Sequence, residues 1–402
     1  MSEYADVVIV GGGMVGLMLA CALKDSGLSV VMIERDESKV FKSLNRDCRV
    51  SAIVAGNVNI LQGLGVWKHL QHDASPIHGM RIWDNQQAGG VRFDCSEINA
   101  VALGYLIENS RTMAAMHRTL LDSDNIEFYC PAEISEVQWL PDKVTVKLAD
   151  GRMLNTALIV GADGGRSWLR EQAGIGVYQR DYHQQGIVAT VRPERSHGGM
   201  AYQRFLPAGP LAMLPMTDNL CSIVWSAGNE EAARLMAMND EACLKALNLT
   251  FGPVLGRIVA CGERAAFPLT GRLTKHCVRP RLALVGDAAH CIHPLAGLGV
   301  NLGLRDAMVL AQEIVDARYY DEDWGDMSVL NRYMKQRWPD VLGIMASMEG
   351  LHRIFTGDFP GLEALRGLGM RAMSNGGTIK TLLMRNAAGL TLPVPKQISL
   401  RR

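Results

Sequence analysis

Short, β-branched apolar runs that stop at glycines punctuate the chain: Asp6–Val10 (DVVIV), Leu158–Val160 and Leu282–Val285. Runs of this length bounded by glycine predict strands buried on both faces of a parallel sheet. After the first run, Met14–Ser26 carries apolar residues at helical spacing, with Gly27 suited to the helix C-terminus. Val30–Ile33 follows as a second strand, so the chain opens with a strand–helix–strand unit that ends at Glu34. Ala52–Leu70 predicts a helix interrupted at Gly63 and Gly65. From Ile77 to Phe93, across Gly186–Ser226 and over Ala265–Leu269, the period shifts towards alternation. Turn residues such as Pro207-Ala208-Gly209-Pro210 separate these runs, which predicts an antiparallel sheet of several strands. Beyond Asn301 the pattern is helical again, through Leu304–Ala317 and Val329–Met348.

Composition narrows the class. The 402 residues are 48% hydrophobic and 20% charged with zero formal net charge, an ordinary globular balance. No basic excess points to nucleic acid, and no acidic bias points to disorder. Nine cysteines occur without any C-x-x-C pair, so free, mostly buried thiols in a reducing compartment are expected. Met1–Asp6 has no basic n-region, and no apolar run approaches the roughly 18 residues that span a bilayer. The expectation is a cytoplasmic protein, soluble or held at the inner face of the membrane.

Three glycine–acid fingerprints carry the chemistry. Gly11-Gly12-Gly13-Met14-Val15-Gly16 satisfies G-x-G-x-x-G between a strand and a helix. Gly11 permits the tight turn, Gly13 lets the backbone approach a pyrophosphate, and Gly16 lets helix and sheet pack closely. Glu34, about 20 residues further on, suits ribose hydroxyls; the competing reading is a glycine-rich turn with no ligand. The second fingerprint is Gly161-Ala162-Asp163-Gly164, with Ser167 and Arg170 following. The third is Gly286-Asp287-Ala288-Ala289-His290, running through Pro294 and Gly297-Leu298-Gly299-Val300 to Asn301. Asp287 at a strand end can hold ribityl hydroxyls. The helix opened by Gly297–Asn301 can place its N–H groups on a flavin pyrimidine oxygen. Together the three describe a pocket for extended FAD. The predicted fold is α/β: a discontinuous Rossmann-like FAD-binding domain (1–75, 100–175 and 277–345), an inserted antiparallel β-sheet substrate domain (76–99 and 176–276) and a C-terminal helical segment (346–402).

This set resembles the class A aromatic-ring flavin monooxygenases, and within them the ubiquinone-biosynthesis hydroxylases. Supporting stretches are Arg49–Ile53, Leu64–Trp67, Gly104-Tyr105, Glu108-Asn109, Phe205–Pro207, Leu214-Pro215, Val224-Trp225, Phe267–Leu269 and Tyr333–Arg337. Leu298 departs from the glutamine usual in A-G-Q-G-V-N. The resemblance implies FAD contacts from Met14, Arg35, Arg49, Asn109 and Pro294 beside the fingerprint residues. For Arg49 the alternative is a surface salt bridge, and for Asn109 a helix cap. It further implies dioxygen and a lipophilic phenolic or quinol substrate, with NADH or NADPH as donor visiting without a dedicated domain. The phenol's own hydroxyl activates the ring, so no protein nucleophile or metal is needed. No catalytic residue is nominated firmly; His290 and Pro294 are the candidates, with packing the rival role for His290. Phe205, Leu214, Trp225 and Phe267 are candidates to line the ring site, though such residues also build cores.

Other signals are set aside. His290-x-x-His293 lacks a third metal ligand, His69-x-x-His72 reads as a solvated face, and G-x-S-x-G is absent. Pro360–Arg402 holds seven basic residues against one acid, interleaved with leucine and methionine. It reads equally as a peripheral-membrane or partner-binding surface and as a terminal helix with a solvated basic face. Two rival functions remain: a flavin oxidoreductase of the same fold that does not hydroxylate, and a non-catalytic subunit assembled with other quinone-biosynthesis proteins.

Overall fold

The computed structural model describes residues 3–37, 47–84, 90–292, 299–356, 373–374 and 376–391. Strand β1 (Glu3–Val10) passes through the first glycine loop into α1 (Met14–Leu23) and β2 (Val30–Ile33). Next come β3 (Val50–Val54), α2 (Ala55–Gly63), β4 (Ser75–Ile77), β5 (Gly79–Trp83), β6 (Val91–Asp94), β7 (Gly104–Glu108) and α3 (Asn109–Leu120). They are followed by β8 (Ile126–Tyr129), the hairpin β9 (Ile134–Trp139) and β10 (Val144–Leu148), β11 (Met153–Gly161) and α4 (Trp168–Gln172). The middle of the chain supplies β12 (Val177–Pro193), β13 (Met200–Leu206), β14 (Gly209–Pro215), β15 (Cys221–Gly228), α5 (Asn229–Ala237) and α6 (Asp240–Phe251). The remainder forms β16 (Ile258–Thr274), β17 (Val278–Arg279), β18 (Leu282–Leu284), β19 (His290–Cys291), α7 (Gly299–Tyr319), α8 (Met327–Thr356) and α9 (Thr378–Ala387).

Three sheets organise these elements. The first has the order β17-β18-β11-β1-β2-β8, with β9 and β10 continuing from β11. Its pairs β18–β11, β11–β1, β1–β2 and β2–β8 are parallel. Such strands are covered on both faces and tolerate only apolar side chains, and Val7, Val8, Ile9, Leu158, Ile159 and Leu282 are indeed wholly buried. Helix α1 buries every residue from Gly16 to Leu23 and packs on α3 and α7. The second sheet runs β19-β16-β12-β15-β14-β13-β5-β6, and the third, β3-β7-β4, is small. Among the described residues no helix is long and apolar enough to cross a membrane.

Several expectations are corrected. The helix after the first loop ends at Leu23, where the Ser26 hydroxyl donates to Leu23 O at 2.6 Å and closes the turn. Ala52–Val54 is strand, not helix: Ala52 pairs with Leu106 in an antiparallel ladder that buries β-branched Ile53, and the helix starts only at Ala55. The second sheet is not purely antiparallel, because β5 pairs with β13 in parallel. A strand that arrives by a long connection is free of the hairpin constraint. Helices α5 and α6 were not anticipated; Ala232, Leu235, Cys243, Leu247 and Phe251 pack them onto that sheet. The last long helix continues past Met348 to Thr356. All nine cysteines are unpaired, but four are buried and five half-buried, so burial is less complete than expected.

Candidate active site

The first glycine loop is folded against both neighbouring strands. Gly11 N donates to Ile33 O at 2.9 Å and Ala162 N to Val10 O at 2.8 Å. Gly11 has φ +111°, and a Cβ there would press into Ala162 O and stand 2.9 Å from Asp163 N. Helix α1 begins with no side-chain cap and no acid in its first turn. A Cβ on Gly13 would meet nothing within 4 Å. The bare N–H groups therefore face open space, the arrangement that favours an anion. Glu34, buried at the tip of β2, accepts from Gly12 N at 2.7 Å and from Asp36 N at 2.9 Å. Arg35 beside it is exposed and Met14 half-buried.

The second and third loops join this one. Asp163 Oδ2 accepts from Leu169 N at 3.1 Å, and Ser167 Oγ caps α4 by accepting from Arg170 N at 3.0 Å. Arg170, 5% exposed, donates to Gly165 O at 3.2 Å and to Ala288 O at 3.1 Å, tying the second loop to the third. Arg272 of β16 donates to Gly165 O at 2.8 Å, tying both to the second sheet. Gly286, at φ +60°, lies against Val15 of α1. Asp287 is accessible to solvent yet hemmed in by protein. This enclosure pushes its carboxyl up, with His290 and Arg272 only partly opposing.

A buried charge cluster holds the third loop. Asp306 of α7, wholly buried, accepts from Gly286 N at 3.0 Å and from Arg337 Nε of α8 at 2.8 Å, and its Oδ2 lies 2.6 Å from His290 Nε2. Burial alone would raise the Asp306 carboxyl; His290 and Arg337 outweigh it and hold it below the ordinary range. Arg337 also pairs with Asp340 at 2.7 Å. His290 is 3% exposed, and in β19 it pairs with Leu273. The imidazole is engaged by Asp306 inside the protein.

The other anticipated residues divide. Asn301 is committed to structure: its side chain donates to Ala52 O at 2.7 Å and accepts from Val54 N at 3.0 Å and Asn57 Nδ2 at 2.9 Å. Asn109 opens α3 without capping it; its Oδ1 accepts from Ser51 Oγ at 2.7 Å. Arg49 is half exposed and pairs with Asp47 at 3.4 Å, the salt bridge named as its alternative. Gly299 and Val300 sit half-buried in the first turn of α7. Pro294 and Gly297, with Leu298, lie outside the described residues.

Cross-strand register sorts the ring-site candidates. Phe267 faces Gly186, Gly186 faces Ser226, and Phe205 faces Pro210, so these belong to one side of the second sheet. Leu214 shares that side and packs with Val50, Ala52 and Leu106 of the third sheet. Trp225 does not: it is opposite Leu211 and Ile187 and is buried under α5 and α6. The tryptophan is core on the far face, one residue out of phase with the others.

Comparison with known proteins decides the family. The model of the FAD binding domain matches residues 4–346. The chain is 38% identical over 387 residues to the ubiquinone hydroxylase UbiL of Rhodospirillum rubrum, covering 96% of this chain and 90% of that one. It is 36% identical over 391 residues to the 3-demethoxyubiquinol 3-hydroxylase of Escherichia coli, covering 97% and 100%. The chain belongs to this family of FAD-dependent hydroxylases. Among solved structures, p-nitrophenol 4-monooxygenase of Pseudomonas putida superposes with a TM-score of 0.79 at 19% identity, covering 96% of this chain and 97% of that one. At that identity the likeness concerns the fold.

For an FAD-dependent hydroxylase the residues present suit the cofactor. The uncapped start of α1 and the open space at Gly13 suit an anion, and the accessible Asp287 follows Gly286, which packs on Val15 of that helix. Reading the sequence missed the braces: Arg170, Arg272, Asp306 and Arg337. Arg170 and Arg337 lie in stretches already singled out and Asp306 in the helix predicted over Leu304–Ala317, but nothing in their spacing named a partner.

Proposed function

We propose that the protein hydroxylates the aromatic ring of a polyprenyl phenol or benzoquinol intermediate of ubiquinone biosynthesis, using dioxygen and electrons from NADH or NADPH. The observation that carries this reading is the interlocking of three glycine loops beside an apolar sheet face, in a chain whose relatives are named for ubiquinol hydroxylation. Bound FAD supplies the activation of dioxygen. In this reading Gly11, Gly13, Met14, Gly16 and Glu34 hold its adenosine and pyrophosphate, with Arg35 and Arg49 at the rim. Asp163, Gly286 and Asp287 meet its ribityl chain. Pro294, Gly297, Gly299, Val300, Asn301 and Asn109 surround its ring. Residues 1–75, 100–175 and 277–345 form the cofactor domain, and 76–99 with 176–276 the substrate domain. The chain's task is to orient an already electron-rich ring and exclude water. Purified protein given a prenylphenol, FAD and NADH or NADPH should consume oxygen in proportion to hydroxylated product. Oxygen uptake without product, or reduction of the prenyl chain instead, rejects the proposal.

The lipophilic substrate is proposed to be met at a membrane surface through α9. This helix is docked by Lys380, which donates to Arg92 O at 2.7 Å and pairs with Glu97, and by Gly56 N donating to Ala388 O at 2.9 Å. Met384 and Ala388 face inward, leaving Ile379, Leu382 and Leu383 at 70%, 61% and 51% exposure. The sequence after Glu363 contains no acid. Serine at all three positions should cut co-sedimentation with anionic vesicles by about tenfold or more. Unchanged binding rejects the contact, and a change in oligomeric state instead points to a protein neighbour.

A further inference from the structure

Strand β13 alternates, burying Ala201, Gln203 and Phe205 on one side. On that side Gln203 is in register with Ile82 of β5 and Ala212 of β14; Ala212 is opposite Val224, Val224 opposite Val188, and Val188 opposite Ala265. The row is aliphatic apart from the glutamine. Ile82, Val188, Val224 and Ala265 stay half-accessible, whereas Ile187, Trp225 and Leu211 on the opposite side are sealed under helices. One end of this side is closed by the third sheet at Leu214, the other by Met348 and Ile344 of α8 at Phe205. The middle row therefore stays accessible between these two closures, on the face that α5 and α6 leave uncovered.

Gln203 is only 5% exposed, no hydrogen bond of its carboxamide is found among the described residues, and neither amide atom is fully enclosed, so the amide is part of what the residue presents to the accessible side. An amide in this place needs a polar partner that its aliphatic row does not supply, and leucine would fill the position without that need. We propose that Gln203 is the specificity-determining residue for the ring: its carboxamide hydrogen-bonds the phenolic oxygen. As acceptor from the O–H, the side-chain oxygen draws electron density towards the phenol oxygen and so supports attack at the ring. This rests on the hydroxylase reading above, and it adds which atom of the protein recognises which atom of the substrate.

The test compares 2-geranylphenol with its O-methyl ether, in binding to the holoenzyme (perturbation of the flavin spectrum) and in turnover. Wild type should prefer the phenol, and Gln203→Leu should lose about 10- to 100-fold in affinity and kcat/KM for the phenol while barely changing for the ether. Melting temperature and FAD affinity of the variant should equal or exceed wild type. Gln203→Glu should introduce a pH dependence of phenol binding that wild type lacks. Equal losses for phenol and ether would make Gln203 a structural residue and overturn the proposal. Undiminished discrimination in the leucine variant would do the same while leaving the hydroxylase reading intact. A wild type that binds both ligands equally and oxidises neither removes the hydroxylase reading and this proposal with it.

Discussion

Replacing Arg337 with leucine is expected to destabilise the protein by roughly 3–5 kcal/mol at pH 8, because it strands the buried Asp306 carboxylate. Asp306 is wholly buried and Arg337 nearly so, so water cannot substitute for the lost guanidinium. The pH dependence carries the sign. In wild type the folded pKa of Asp306 is depressed. Its contribution is present above the unfolded carboxyl pKa and is lost as pH falls through the folded one. Without Arg337, His290 alone is left to oppose burial, and the folded pKa rises. The penalty is then largest at high pH and relieved as protonation neutralises the acid. Urea unfolding at pH 8 and pH 5.5 should show the deficit shrinking on acidification. Adding Asp306→Asn to Arg337→Leu should recover much of the stability at pH 8, since the wholly buried carboxylate is then gone and only the less buried Asp340 lacks its arginine. A deficit that is independent of pH and not relieved by the asparagine would mean that the arginine acts by packing alone.

What was legible in the chain follows from how local each constraint is. Gly11 and Gly286 announce themselves because each sits at positive φ and lies close to another element, Gly11 to the second loop's backbone and Gly286 to Val15 of α1, so glycine fits best. The buried parallel strands are legible because covering both faces leaves one kind of residue. Asp306 was not legible: its three partners lie 20, 16 and 31 residues away, on a loop and on α8. No local pattern distinguishes it from a solvated acid on an amphipathic helix. Trp225 shows a different limit. Alternation states that a strand has two faces but not which one packs on the third sheet. That choice was made by α5 and α6, which cover Trp225 and leave Phe205, Leu214 and Phe267 on the other side. The same ambiguity concealed Gln203. The helix expected at Ala52 failed because strand pairing with β7 overrode a short apolar stretch of weak periodicity.

Gly11→Ala should abolish FAD retention and lower stability by roughly 2–4 kcal/mol, whereas Gly13→Ala should affect FAD alone. At Gly11 the added methyl meets the Ala162 carbonyl and Asp163 N, both backbone, in a φ region hostile to side chains. Relief requires separating β1 from β11, the central pair of the parallel sheet. At Gly13, φ is −76° and ψ 179°, values any residue adopts, and the methyl enters open space. The apoprotein should therefore unfold within about 0.5 kcal/mol of wild type. That open space is where a pyrophosphate would approach the uncapped helix, so the methyl should weaken FAD binding by about 100-fold if it forces the phosphates away from the N–H groups. The ratio of absorbance at the flavin band to that of protein, with apoprotein unfolding curves, separates the two variants. An apo Gly13→Ala protein as unstable as Gly11→Ala would show the loop to be packed rather than open. A Gly13→Ala protein that binds FAD normally would place the pyrophosphate elsewhere.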